Sequence, residues 1–460
     1  MGLTIKVINY IYQTLYEKFI FPGYHLLRND GLNNIFKETM SKENLSPNEL
    51  QCLQKEKLLS LLRHAYLTVP YYKKQFESIG LVDVNDISID FFRSLPLINK
   101  SIISIQIDEF ISQESNCTDL IDNSTSGSSG TPFNFKTDKR FRQYCMAVVA
   151  RNHKWTGVSI GDKKLWLWGA QIDIAKGERF KERVKNFLSH RVMLSSYAMS
   201  DENLFDYLEV IQRYKPALIT SYPTPLSELA NYKNSRANCS CSIKAIITSA
   251  EMLYPNQRDL IEKAFDVKVF NRYGSREFGD IAQEDKNHDG LRINSDHVYV
   301  EILDENGNEC PAGKEGDLYI TGLNNYGMPL IRYNIGDRAS WPETQYYYKG
   351  MPFPLMKEIQ GRVFETIEAP NGNKIGGTFW TILLRAKGGI KQFQVIQKTH
   401  QSIQIKYLPN EDYQQSNEKY YRSEIADKCG EQLQVDFIRV DKFELPSNGK
   451  HKLIIKKLES

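Results

Sequence analysis

At 460 residues the chain exceeds what one hydrophobic core normally supports, so at least two domains are expected. Its 59 basic and 56 acidic side chains leave a net charge of +3 with no long basic run, which argues against a nucleic-acid partner. The seven cysteines, at 52, 117, 145, 239, 241, 310 and 429, show neither zinc-site spacing nor a secreted disulfide framework and fit a reducing cytoplasm; Cys239 and Cys241 read as ordinary residues near a strand edge.

The N-terminal stretch is apolar in patches but broken by Lys6, Asn9, Gln13, Glu17 and Lys18, so neither a signal peptide nor a transmembrane segment is expected. Ile5, Ile8, Leu15 and Phe19 recur at helical spacing. Packing on the domain is the favoured reading, and peripheral contact with the inner face of a membrane is the lesser one.

A helix is predicted from Ser46 and Pro47, with Leu50, Leu53, Leu58, Leu61 and Leu62 on one side and a break at Pro70. From Val148 to Ile320, apolar runs at 165–168, 217–220, 245–248 and 267–270 alternate with helical stretches at 202–214 and 255–265, the rhythm of an α/β domain. Beyond Asp296 the segments HVYVEIL and GDLYITGL, separated by DENGNE, predict antiparallel β structure. After Gly361 the expected order is strand 392–397, strand 402–408, helix 416–433, strand 435–443 and a loop carrying Lys450. The fold class is therefore mixed α/β, with a large N-terminal domain, residues 1–361, that ends in a β subdomain, and a small α+β domain, 362–460.

The segment from Ser124 to Pro132 holds two glycines and six hydroxyl residues, a composition whose backbone N–H groups can fold around phosphate oxygens. Thr131 and Pro132 follow Gly130 where a P-loop needs Lys and Ser or Thr, so a nucleotide-kinase loop is excluded. Standing alone, such a run is more often a linker. Downstream lie NRYGSREFGD, RYNIGDRA, QGRVFE and SNGK, and together with the loop their order and spacing resemble the adenylate-forming superfamily of acyl-CoA synthetases and related ligases. Within it the chain is most similar to the branch containing phenylacetate-CoA ligase and the CapK-like proteins of capsular polysaccharide biosynthesis.

The resemblance implies that Thr125, Ser126, Gly127, Ser128, Ser129, Gly130 and Thr131 hold the ATP phosphates. It implies that Asn271, Arg272, Tyr273, Gly274 and Ser275 surround the nucleotide, with Tyr273 against adenine, and that Glu277 binds Mg²⁺. Ser249, Ala250 and Glu251 fall at the adenine-contacting turn, Asp337 and Arg362 at the ribose, and Lys450 between the substrate carboxylate and the α-phosphate. An aromatic face suits a purine and a carboxylate suits Mg²⁺. A desolvated ammonium at Lys450 would contribute about 3 to 4 kcal/mol to the transition state. Trp168, Ser221, Tyr222 and Pro223 are candidate substrate contacts; Trp155, Trp166 and Trp168 could together line an apolar pocket, although three tryptophans in an α/β segment are more often core.

There are departures from the family pattern. Thr131 stands where many relatives have Lys, so phosphate binding leans on backbone donors and on Lys136; Arg276 stands where Ser or Thr often meets the α-phosphate; Phe364 replaces the usual hinge carboxylate. His288 and His297 read as surface or core residues rather than metal ligands. The expected activity is ATP-dependent adenylation of a carboxylic acid or amino acid, then acyl transfer to a sugar, a sugar-nucleotide or coenzyme A. A catalytically reduced nucleotide-binding assembly protein is the reading from another class; Thr131 and Phe364 favour it, and the joint presence of Tyr273, Glu277, Asp337, Arg362 and Lys450 argues against it.

Overall fold

The computed structural model describes residues 15–27, 31–114, 120–124, 133–168, 190–196, 199, 203–236, 242–343, 351–357, 359, 366–371, 374–376, 379–380, 383–384, 387, 389–443 and 453–457. The chain divides into two compact units, residues 1–335 with 339–358 and residues 336–338 with 359–460.

In the first unit, helix α1 (Pro47–Thr68) starts where local chemistry dictates. The Ser46 hydroxyl accepts the Glu49 N–H at 3.3 Å and Glu49 accepts the Ser46 N–H at 2.7 Å, a capping box with proline at the first helical position. Such a cap is worth about 1 kcal/mol. Leu50, Leu58, Leu61, Leu62 and Ala65 form its buried side. Pro70 cannot donate to the preceding turn and instead opens α2 (Pro70–Ser78).

A hairpin of β1 (Ile121–Ser124) and β2 (Asn134–Thr137) follows, with Ser124 opposite Asn134. The glycine-rich segment is therefore the connection between two paired strands; Thr125 to Thr131 themselves lie outside the described residues. Helix α3 (Lys139–Trp155) comes next, its first turn capped by Asp138.

The central sheet has eight strands. β4 (Arg191–Ser195), β3 (Lys164–Trp168), β5 (Leu218–Ser221), β6 (Ala245–Ser249) and β7 (Val269–Ser275) are parallel neighbours in that order, and β8 (Gly279–Gln283), β9 (Leu291–Ile293) and β13 (Leu355–Met356) continue it antiparallel. Both faces of the parallel part are covered, as the near-continuous apolar runs require. Leu165, Leu167, Ile219, Ile246 and Val269 pack with helices α4 (Leu204–Tyr214), α5 (Pro223–Arg236) and α6 (Pro255–Phe265). Leu218, Ala245, Ile247 and Phe270 point the other way and pack on Val158, just beyond α3. The run expected at 267–270 is longer than its apolar core, because β7 carries the YGS segment as strand.

Beyond the sheet, β10 (Val298–Leu303) pairs antiparallel with β11 (Glu315–Gly322), and β12 (Tyr333–Ser340) completes a three-stranded sheet. The expected antiparallel texture after Asp296 is what forms. Gly336 and Asp337 lie inside β12, where Gly336 has φ +84°.

The second unit contains a hairpin of β14 (Thr366–Glu368) with β15 (Lys374–Gly376) and a four-stranded sheet in the order β18 (Gln434–Arg439), β17 (Ser402–Pro409), β16 (Ile390–Thr399), β19 (Ile454–Lys456). Helix α7 (Asn417–Cys429) is shorter than the 416–433 expectation, because Gly430 takes φ +93° and ends it. Trp380, Phe393, Ile405, Tyr421 and Ile425 form this unit's core. Among the described residues no helix is long and apolar enough to cross a membrane, while Leu15, Phe19, Ile20 and Leu26 are exposed on the N-terminal helical segment.

Candidate active site

In an open parallel sheet, ligands bind beyond the carboxyl ends of the strands. Trp168 ends β3, Ser221 ends β5, Ser249 ends β6, and β7 ends in the YGS segment, so the topology brings these expected site residues to one edge. Each strand end is shaped by a local constraint. Ala250 adopts φ +67°, a conformation an alanine holds only when its surroundings enforce it. Glu251 accepts the Thr224 N–H at 3.2 Å and so caps the start of α5. The Ser221 hydroxyl donates to the Tyr222 carbonyl at 2.9 Å, Pro223 opens α5, and Tyr222 stacks on Trp168 with ring centroids 4.2 Å apart.

The β7–β8 turn is the tightest part of the site. A Cβ on Gly274 would lie 2.6 Å from the Gly279 carbonyl oxygen, and the register slips between Tyr273 and Gly274, so only glycine lets the two strands close. The Ser275 hydroxyl accepts the Phe278 N–H at 3.2 Å, and the Asn271 N–H donates to Glu284 at 2.7 Å. Arg276 reaches out of this turn and donates to the Ser124 carbonyl at 3.0 Å, tying it to the base of the hairpin that carries the glycine-rich connection. Arg276 stands where the family resemblance has a Ser or Thr that meets the α-phosphate, and here its guanidinium meets a backbone carbonyl.

Glu277 is buried, and the Tyr333 hydroxyl donates to it at a long 3.4 Å. Among the described residues no cation lies within ion-pair distance of it. A buried carboxylate with so little compensation is a fit for a hard divalent cation. Lys136, expected to assist phosphate binding, pairs with Asp122 across the hairpin at 2.6 Å. Asp337 is buried in β12. Arg362, Phe364 and Lys450 lie outside the described residues, as do Cys239 and Cys241.

Behind the turn, His297 is fully enclosed. Its Nε2 donates to the Phe278 carbonyl at 2.8 Å, while its Nδ1 accepts from Asn324 at 2.9 Å. The other side of that amide accepts from Lys57 at 3.1 Å, which fixes its orientation. Burial pushes the imidazole pKa down to about 4, so it is neutral, and it positions the residue that follows Glu277. Nothing in the sequence around His297 marked this role. Alongside it Arg151 grips Asp296 with two hydrogen bonds of 2.8 and 2.7 Å. His288 accompanies Glu284 and Arg258 at 3.3 and 3.4 Å. Trp155 packs with Leu50 and Phe353 and donates to Glu43 at 2.8 Å, a core position.

Two family models match the chain: AMP-binding enzyme over residues 189–327 and CapK C-terminal domain over residues 367–457. Protein CapK of Staphylococcus aureus is 25% identical over 377 residues, covering 81% of this chain and 82% of that protein. Phenylacetate-coenzyme A ligase of Escherichia coli strain K12 is 25% identical over 307 residues, covering 64% and 68%. Among solved structures, 2-hydroxyisobutyryl-CoA ligase in the postadenylation state shares the fold with a TM-score of 0.71, 16% identity and 91% of each chain covered. The chain belongs to the adenylate-forming superfamily and is an AMP-forming, acid-activating ligase. Within that superfamily it falls in the CapK-like branch, by the match of its C-terminal segment and by its likeness to CapK.

Proposed function

We propose that the protein activates a carboxylic acid with Mg-ATP as an acyl-adenylate and then transfers the acyl group to an acceptor used in surface polysaccharide assembly. The observation that carries this reading is the Arg276 tie, which brings the base of the glycine-rich hairpin to the turn that bears Tyr273 and Glu277. In this reading Thr125 to Thr131 donate backbone N–H groups to the phosphates, Tyr273 lies on adenine, and Asp337 with Arg362 takes the ribose. Glu277 would hold Mg²⁺, which offsets charge on the phosphate oxygens when bound.

The substrate carboxylate attacks the α-phosphorus, the bond to the β-phosphate oxygen breaks, and pyrophosphate leaves. The protein's contribution is alignment and charge neutralisation, and the family resemblance assigns Lys450 the charge that would offset the carboxylate and the α-phosphate. The residue set supports an active ligase over a reduced assembly protein, because a scaffold has no use for a buried carboxylate short of partners. The polysaccharide role is supported by the likeness to CapK along most of both chains.

A second reading makes coenzyme A the acceptor and a thioester the product. The likeness to phenylacetate-coenzyme A ligase favours it. Carboxylate-dependent ATP–pyrophosphate exchange tests the first step without an acceptor: exchange that disappears in Lys450→Ala supports adenylation, and absence of exchange with every acid class refutes it. Release of AMP on adding coenzyme A, compared with addition of sugars and sugar-nucleotides, then separates the two acceptors.

A further inference from the structure

Arg272 lies one residue before Tyr273 in β7, and successive residues of a strand point to opposite faces. Phe270, two residues earlier, packs on the α3 side of the sheet, which places Arg272 on that side also. Its side chain is only 9% exposed, yet it makes no hydrogen bond among the described residues. Asp280 forms a 3.6 Å ion pair with it, too long for a hydrogen bond, the ring of Trp168 is 5.9 Å from the guanidinium carbon, and the buried Nε has no hydrogen-bond partner among the described residues.

A guanidinium presents five N–H donors, and leaving buried ones without hydrogen bonds is costly even where a carboxylate offsets the charge. Other unpaired groups lie in the same layer. Among the described residues, Asn152 donates to Asp280 at 3.2 Å while its Oδ1 has no hydrogen-bond partner, and Gln283, directly opposite Arg272 in the β7–β8 register, has none at Oε1. Trp168 and Tyr222, at neighbouring strand ends, add a stacked aromatic wall. An alkyl or aryl acid would bury its tail against these groups and leave every one unsatisfied. A tail that ends in a carbonyl oxygen would take the guanidinium fork.

We propose that Arg272 is the specificity-determining residue of the acid site, and that the acid activated carries a second carboxylate or a carboxamide at its distal end. This rests on the acid-activation reading given above. A free carboxylate and its amide share the oxygen that Arg272 recognises; the amide would also supply N–H donors to Asn152 and Gln283.

The test is pyrophosphate exchange by the full chain with Mg-ATP and isosteric acids: succinate and succinamate against 4-methylpentanoate, and aspartate and asparagine against leucine. In one or both series the polar-tailed acid is expected to exceed its hydrocarbon isostere in kcat/KM by about 100-fold or more, as a buried hydrogen-bonding site discriminates. Arg272→Met should collapse that ratio by about 30-fold or more, and Arg272→Lys, which keeps the charge but loses the fork, should fall between. A ratio near one in both series, or one unchanged in Arg272→Met, overturns the proposal while activation stands. Exchange with no acid overturns the activation reading and this proposal with it. Thermal melts identify a variant that fails to fold, in which case Arg272→Lys decides: an unchanged ratio overturns the role and a reduced one supports it.

Discussion

The Arg276 guanidinium donates to the carbonyl of Ser124 at 3.0 Å, joining residues 152 positions apart. One end of this bond is the turn holding Glu277; the other is the last paired residue before the glycine-rich connection. The two segments expected to contact one nucleotide are thus held together by a side chain that need not touch the nucleotide itself.

Arg276→Ala should therefore raise the KM for ATP by about 5- to 30-fold, the equivalent of 1 to 2 kcal/mol, with a smaller change in kcat. Exchange kinetics across ATP concentrations check this. A loss confined to kcat would point to direct contact with the reacting phosphoryl group.

Glu277→Gln should lower exchange by about 10²- to 10³-fold, the scale of removing one charge-stabilising group from a site of this kind. Its thermal midpoint should not fall, because a buried carboxylate with one 3.4 Å partner among the described residues stabilises the fold little. Midpoint and activity measured on the same preparation separate a ligand-holding role from a structural one.

Gly274→Ala should damage fold and activity together. The added Cβ would meet the Gly279 carbonyl at 2.6 Å, and that backbone cannot move without opening the β7–β8 turn. A destabilisation of about 1 to 3 kcal/mol is expected, read as a shift in the urea midpoint.

His297 gives the fold a pH dependence. Its folded pKa of about 4 lies below the ordinary 6.5, so its contribution is complete above about pH 6.5 and is lost as pH falls toward 4. Protonation would put a second N–H against the Asn324 amide donor and break the link to Lys57. The shift corresponds to about 3 kcal/mol. Urea unfolding between pH 4 and 7 should show the decline in the wild type and a shallower slope in His297→Gln.

Much of this protein was legible from its sequence, because local chemistry acts over a few residues. The capping box at Ser46 and Glu49, the break at Pro70, the apolar runs that became β3, β5, β6 and β7, and the antiparallel texture after Asp296 all follow from neighbouring side chains. The catalytic class was legible for a different reason: several short segments kept their order along the chain. What the sequence misjudged were quantities set across space. The helix expected to reach Leu433 stops at Cys429, and the partner of Lys136, Asp122, was not marked by its sequence neighbours. Arg276 meeting Ser124, His297 holding the Phe278 carbonyl, and the Arg272 Nε with no hydrogen bond among the described residues all depend on which distant segments come close. Sequence by itself determined the elements and the chemistry they can carry. Only the tertiary structure decided which donors and acceptors are used up inside the fold and which are left for a ligand, because hydrogen bonds and burial depend on distance in space.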